Sequence, residues 1–316
     1  METGKANLEV MADTLMALAE HDRDLLVVTS DSRGSGKLVP FANAFPDQVV
    51  EVGIAEQNLV GIAAGLASTG KKVFAVSPAC FLTARSLEQI KNDVAYSDQP
   101  VTVVGISAGV SYGSLGTTHH SLHDYAVMRT INNIDVLAPA DNFETAEAIK
   151  AAYTLRRPVY VRFGKQAMPH LYGPGATFEV GKANVLSQGA DVTFVATGET
   201  VPRAVQAAAV LEGEGLSCGV ISVHTLKPFD AEAVLDAAEN TRALITVEEH
   251  SIFGGLGEAC ASALMQSGVR VPFKIVGLPD DHTVTGSQNE IFTHYGISAD
   301  GLANTARQLL QVGITA

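Results

Sequence analysis

"VVEVGIAEQNLVGIAAGLASTGKKVFAVS", residues 49–77, reads as strand, helix and strand in succession. The runs at 49–53 and 72–77 are mostly apolar and β-branched, the character of strands covered on both faces. Between them a helix is expected at 55–68, and "NLVGIAAGLASTG" (58–70) carries apolar and small residues all round, which suits a helix packed on several sides. Strands alternating with helices in this way make a parallel sheet. One residue has little structural reason to be there. Glu56 stands at the mouth of the helix, where desolvating a carboxylate is costly.

The same alternation extends in both directions. Further strands are expected at 25–30, 101–107, 134–139 and 158–163, with helices at 6–20, 83–96, 121–131 and 142–155. A Gly/Pro-rich break, "PHLYGPGATFEVGKANVL", follows at 169–186. The pattern then restarts, with strands at 191–198, 217–223, 243–249 and 273–278 and helices at 200–213, 230–239, 256–267 and 300–311. The expectation is an α/β protein of two domains, 1–180 and a smaller 181–316, without internal repeats.

Composition narrows the class. The chain has 316 residues, 47% hydrophobic and 17% charged, enough for a sizeable core. Its net charge of −13 argues against a nucleic-acid surface. No run of about 18 uncharged apolar residues suggests a membrane span. The start, "METGKANLEV", does not read as a signal peptide. Cys80, Cys218 and Cys260 are widely spaced and read as buried thiols of a reducing compartment, with no metal role. A cytoplasmic protein is expected.

Chemistry-bearing residues gather just past the expected strand ends. Asp31 and Ser35 follow the first strand in "SDSRGSGK" (30–37), and Glu56 follows the second. "PACFLTAR" (78–85) puts Phe81 and Arg85 after the third. A glycine-rich loop then leads to "GTTHHSLHD" (116–124), with His119 and His120 adjacent, and "RFGKQ" (162–166) ends a strand with two cations. Ligands of parallel sheets bind at this edge, so the convergence is informative. By contrast "GGLG" (254–257) lacks dinucleotide-fingerprint spacing and reads as a tight packing turn.

These segments, in order and spacing, resemble the pyrimidine-binding domain of transketolases: "EVGIAEQNLVGIAAGLASTG", "FLTARSLEQIKNDVAY", "GSLGTTHHSLHDYAVMR", "VLAPADNFET" and "PVYVRFGK". "VHTLKPFD" (223–230) and "VEEHSIFGGLGEA" (247–259) resemble that family's mixed α/β C-terminal domain. The resemblance implies thiamine diphosphate and Mg²⁺, which the family holds with a GDG…N segment. No GDG occurs in this sequence. It therefore implies a partner, an N-terminal transketolase subunit carrying GDG…N and most of the Mg²⁺ site, with self-dimerisation into an α2β2 assembly.

Residue roles follow from the resemblance. Glu56 matches the glutamate bonded to N1′ of the aminopyrimidine, which promotes loss of the cofactor's C2 proton. Phe81 matches the aromatic that stacks on the pyrimidine, with Arg85 beside it, and Asp31 an acid near the thiazolium. His119 matches a histidine that meets the donor's carbonyl region, and Ser35 and Lys165 match contacts to the substrate phosphate. Three positions depart from the sugar-phosphate pattern. Ser107 stands for a histidine, Leu115 for an aspartate and His120 for a glutamine, which points to a branched, deoxy or otherwise modified sugar phosphate. The implied activity is two-carbon ketol transfer between a ketose and an aldose phosphate. The alternatives are the β subunit of a 2-oxo-acid dehydrogenase, half of a deoxyxylulose-phosphate-synthase-like enzyme, and a scaffold that kept the fold.

Overall fold

The computed structural model describes residues 2–312. The first half runs β1 (Thr3–Ala6), α1 (Asn7–Ala19), β2 (Leu25–Thr29), α2 (Val39–Ala44), β3 (Val49–Glu51), α3 (Glu56–Ser68) and β4 (Lys72–Pro78). It continues with α4 (Ala79–Arg85), α5 (Leu87–Gln89), β5 (Val101–Ile106), α6 (Asp124–Thr130), β6 (Asp135–Leu137), α7 (Asn142–Thr154), β7 (Val159–Arg162) and β8 (Ala167–Pro169). The second half comprises β9 (Asn184–Ser187), β10 (Val192–Ala196), α8 (Val201–Glu212), β11 (Cys218–Ser222), β12 (Thr225–Lys227) and α9 (Ala231–Glu239). It ends with β13 (Leu244–Ser251), α10 (Leu256–Ser267), β14 (Phe273–Leu278), α11 (Gln288–His294) and α12 (Ala299–Val312).

The first sheet has the order β12-β6-β7-β5-β4-β2-β3, parallel except for β12. The chain steps outward from β2 to β3, then returns through α3 to β4 on the other side of β2. That reversal is a topological switch point, and the crevice above the strand C-termini there is where such sheets take ligands. Ser30 Oγ donates to Ser77 Oγ at 2.7 Å across it, tying the ends of β2 and β4 together. α3 buries Leu59, Val60, Ala63, Ala64 and Ala67. Full burial of Leu59 and Val60 contributes about 1.5–3 kcal/mol each.

The second sheet, β14-β13-β10-β11-β9, is parallel apart from β9. The two halves interlock. β12, from the second half, pairs antiparallel with β6 at the edge of the first sheet. Arg162, at the end of β7, donates to Asp124 Oδ1 at 2.8 Å and to the Glu249 carbonyl at 3.0 Å. Its guanidinium lies 4.2 Å from the Tyr125 ring centre, and Tyr125 stacks on His250.

Two expected helices differ from those observed. The stretch expected to be helical over 83–96 begins at Ala79, breaks at Ser86 and runs as a π-helix over Ile90–Tyr96. Ser86 Oγ bonds back to the Leu82 carbonyl at 2.6 Å, which competes with regular helical continuation. Phe81 and Arg85 thus share α4, directly after the strand. The helix expected at 121–131 starts only at Asp124, because Ser121 is bridged to Gly109 and closes the glycine-rich loop at its base. α10 begins behind "GGLG" as a packing turn. Glu248 Oε2 and Oε1 accept from Leu256 and Gly257 N–H at 2.7 and 2.8 Å, and a Cβ on Gly257 would lie 2.4 Å from Ile275.

Candidate active site

The strand ends of the first sheet carry a continuous line of contacts. Glu56, 4% exposed, opens α3, and its Oε1 accepts from Arg85 Nη1 at 2.9 Å. The Arg85 guanidinium lies 4.3 Å from the centre of the Phe81 ring. Phe81 meets the His119 ring edge-to-face at 5.3 Å, and His119 meets Tyr112 the same way at 5.4 Å. Lys165 Nζ stands 4.6 Å from the centre of Tyr112. A buried carboxylate at one end is thereby joined to an exposed ammonium at the other, through aromatic rings and one planar cation.

The remaining expected residues flank this line. Asp31 and Ser107 both follow strands with φ of 53°, a left-handed conformation that side chains other than glycine adopt at a cost. Asp31 and Ser35 are exposed, and Ser35 Oγ donates to the Ser32 carbonyl at 3.1 Å. Ser107 is fully buried, and its Oγ has no hydrogen-bond partner within 3.5 Å among the described residues. His120 is turned inward, its Nε2 2.9 Å from the Gly113 carbonyl and its buried Nδ1 unpartnered. Burial lowers the His120 pKa and so favours the neutral ring. Arg162 of "RFGKQ" belongs to the interface between the halves. Lys165 alone of that pair of cations is exposed at the strand edge.

Three supporting acids escape a reading of the sequence. Glu51 accepts from Thr29 Oγ1, Asp31 N and Gly53 N at 2.7, 2.7 and 3.0 Å, and pairs with Arg33 at 3.2 Å. Partial burial pushes its carboxyl up, but these bonds outweigh it and hold the pKa below the usual range. Glu249, from β13, accepts from Val110 N at 2.8 Å and Gln288 Nε2 at 2.7 Å. Gly109 beside it has a φ of 62°, and a Cβ there would lie 2.2 Å from the Glu249 carboxyl carbon. Glu199 accepts from Gly164 N at 3.0 Å and Asn7 Nδ2 at 3.1 Å. Burial pushes Glu249 up to about 7, and burial with the neighbouring Glu249 charge pushes Glu199 up to about 8. The second half thus grips both the glycine-rich loop and the turn bearing Lys165. The one available signal was "VEE", two acids continuing an apolar strand.

Residues 4–170 match the family described as transketolase, pyrimidine binding domain, and residues 181–302 the transketolase C-terminal domain. The chain belongs to the transketolase family. It is 48% identical over 300 residues to one subunit of the apulose-4-phosphate transketolase of Phocaeicola vulgatus, covering 95% of this chain and 96% of that one. The corresponding subunit from Actinobacillus succinogenes is 36% identical, covering 95% and 97%. Among solved structures, a split gene transketolase described as an inactive beta4 tetramer superposes with a TM-score of 0.87 at 35% identity, covering 98% of this chain and 99% of that one. Of the readings open from sequence, transketolase is the one these relatives carry.

Membership of the transketolase family implies thiamine diphosphate, and the donor set fits its pyrimidine end. That ring needs a carboxylate acceptor beside an aromatic face. Here Arg85, a flat N–H donor, already meets both by bonding Glu56 and lying against Phe81. No group of three or more His, Cys, Asp or Glu side chains placed to hold a metal ion occurs among the described residues. Among them, no helix is long and apolar enough to cross a membrane.

Proposed function

We propose that this chain supplies the pyrimidine side of the active site in a two-subunit transketolase, moving a two-carbon ketol unit from a ketose phosphate to an aldose phosphate. The observation that carries this reading is the line Glu56–Arg85–Phe81–His119 at the switch-point crevice. Thiamine diphosphate, when bound, supplies the carbon nucleophile that opens the ketose beside its carbonyl. Glu56 holds the proton shared with the aminopyrimidine, in a site dry enough to keep it there. Phe81 gives the ring its stacking face. Arg85, half exposed, bonds Glu56 and lies on Phe81, and so belongs to the cofactor-binding set. His119 donates to the donor's carbonyl oxygen as charge develops on it. Asp31 lies on the thiazolium side, and Ser107 and His120 shape the sugar pocket. Ser35 and Lys165 take the phosphate, Lys165 as a point charge without the fork of an arginine.

The complementary half is a second subunit with a GDG…N segment, which holds the diphosphate and Mg²⁺, in an α2β2 assembly in the cytoplasm. Ile54 and Leu115 support this, being 74% and 53% exposed close to Glu56 and His119, where a second surface would cover them. The description of the related split gene structure as inactive and beta4 is in keeping with self-association and with a site that one subunit cannot complete. The domain boundary is placed near residue 180, and the donor is a modified ketose phosphate of the kind named for the relatives. The test is reconstitution with the GDG-bearing subunit, followed by assay of ketol transfer from ketose to aldose phosphate beside CO2 release from pyruvate. Transfer without CO2 is expected. Pyruvate decarboxylation without ketose turnover would overturn the reading, and full activity of a Glu56→Ala complex would show a scaffold.

A further inference from the structure

Tyr112 is assigned no role by the family resemblance, yet it joins His119 to Lys165 in the line described above. Its ring lies 5.4 Å from that of His119 on one side and 4.6 Å from the Lys165 ammonium on the other. It is half-buried. Its loop is pinned from several directions. Val110 N donates to Glu249 at 2.8 Å, Gly113 N to the Val110 carbonyl at 2.8 Å, and the Gly113 carbonyl meets His120 Nε2 at 2.9 Å. A Cβ on Gly113 would lie 2.5 Å from the Gly286 carbonyl, so the second half of the chain backs the loop directly. The side chain of the buried Ser107 approaches the Tyr112 hydroxyl.

We propose that Tyr112 is a specificity-determining residue that sets the distance between the donor's carbonyl and its phosphate, and so discriminates among ketose phosphates by length. The inference rests on the reading of His119 as the carbonyl contact and Lys165 as the phosphate contact. If both hold, the donor must lie along the Tyr112 ring, because the same ring touches both groups. Each added carbon lengthens the donor by about 1.5 Å of bond. A rigid, pinned aromatic cannot yield that distance without moving the Lys165 ammonium that rests on its face. Phosphates placed at other distances from the carbonyl therefore miss Lys165 or strain the loop.

The experiment compares kcat/KM for ketose 4-, 5- and 6-phosphates in the reconstituted two-subunit complex, wild type against Tyr112→Leu and Tyr112→Phe. Tyr112→Leu keeps an apolar side chain but removes the ring. It is expected to shift the ratio of kcat/KM between 4-phosphate and longer donors by about tenfold, the size of effect that pocket-filling groups give. Tyr112→Phe, which keeps the ring, is expected to hold the wild-type ratio, and this guards against an effect of misfolding. Equal loss on all donors by the Leu variant, an unchanged ratio, or a Phe variant that shifts as far as Leu would overturn the assignment while leaving the transketolase reading intact. A wild-type complex that turns over no ketose phosphate of any length would remove both.

Discussion

At the level of single residues, the position of Glu56 is explained by its neighbours. A carboxylate at a helix N-terminus is stabilised by the helix dipole, but that alone does not require it to be 4% exposed against a guanidinium that lies on an aromatic ring. Glu56→Gln keeps the shape and the contact to Arg85 while removing the shared proton. Turnover of the reconstituted complex is expected to fall by about 10²–10⁴-fold, with assembly unchanged by size-exclusion chromatography. Retained turnover would remove Glu56 from the chemistry. Residues of this kind were legible in the sequence because a charged side chain beside an apolar run has few structural uses. Arg85 was legible as a residue of the site, whereas its lying on Phe81 depends on both sharing α4, which a helix start placed at 83 obscured. Glu51 was hidden for another reason. It reads as one acid inside a strand, and only the folded turn brings Thr29, Asp31 and Gly53 to it.

Among the elements, the long strand–helix alternation was visible because β2, β4 and β5 are almost wholly buried and so almost wholly apolar. Four short pieces outside that alternation were not. β1, β8, β9 and β12 are three or four residues long, too few to establish a period of two, and their pairing is set by distant partners. The clamps on the site loops have a pH signature. Glu199 carries its proton in the folded chain up to about pH 8, whereas the ordinary value for a glutamate in an unfolded chain is 4.5. The folded state thus holds the extra proton between those values, and stability falls as pH rises through that window, being greatest below it. The melting temperature is expected to drop by about 5 °C between pH 5 and pH 8, and Glu199→Gln to flatten that slope. Parallel slopes for variant and wild type would show that Glu199 does not titrate there.

In the molecule as a whole, the two sheets are not independent bodies. β12 completes the edge of the first sheet, and Arg162 is bonded to the Glu249 carbonyl. The full chain is expected to unfold in one calorimetric transition, and a fragment ending near residue 180 to be insoluble, because it exposes the edge of β6 and takes the Glu249 carbonyl from the buried Arg162 guanidinium. Two separate transitions, or a soluble folded fragment, would show otherwise. The strand that crosses between halves also bears on how relatives of this chain can be recombined. A chimera joined at the Gly/Pro-rich break would take the glycine-rich loop and the Lys165 turn from one parent and the carboxylates that seat them from the other. Mismatched parents would then give proteins that assemble yet handle substrate poorly. Useful crossovers would carry Glu199, Glu249 and β12 along with the loops they hold, treating the two halves as a single inherited unit.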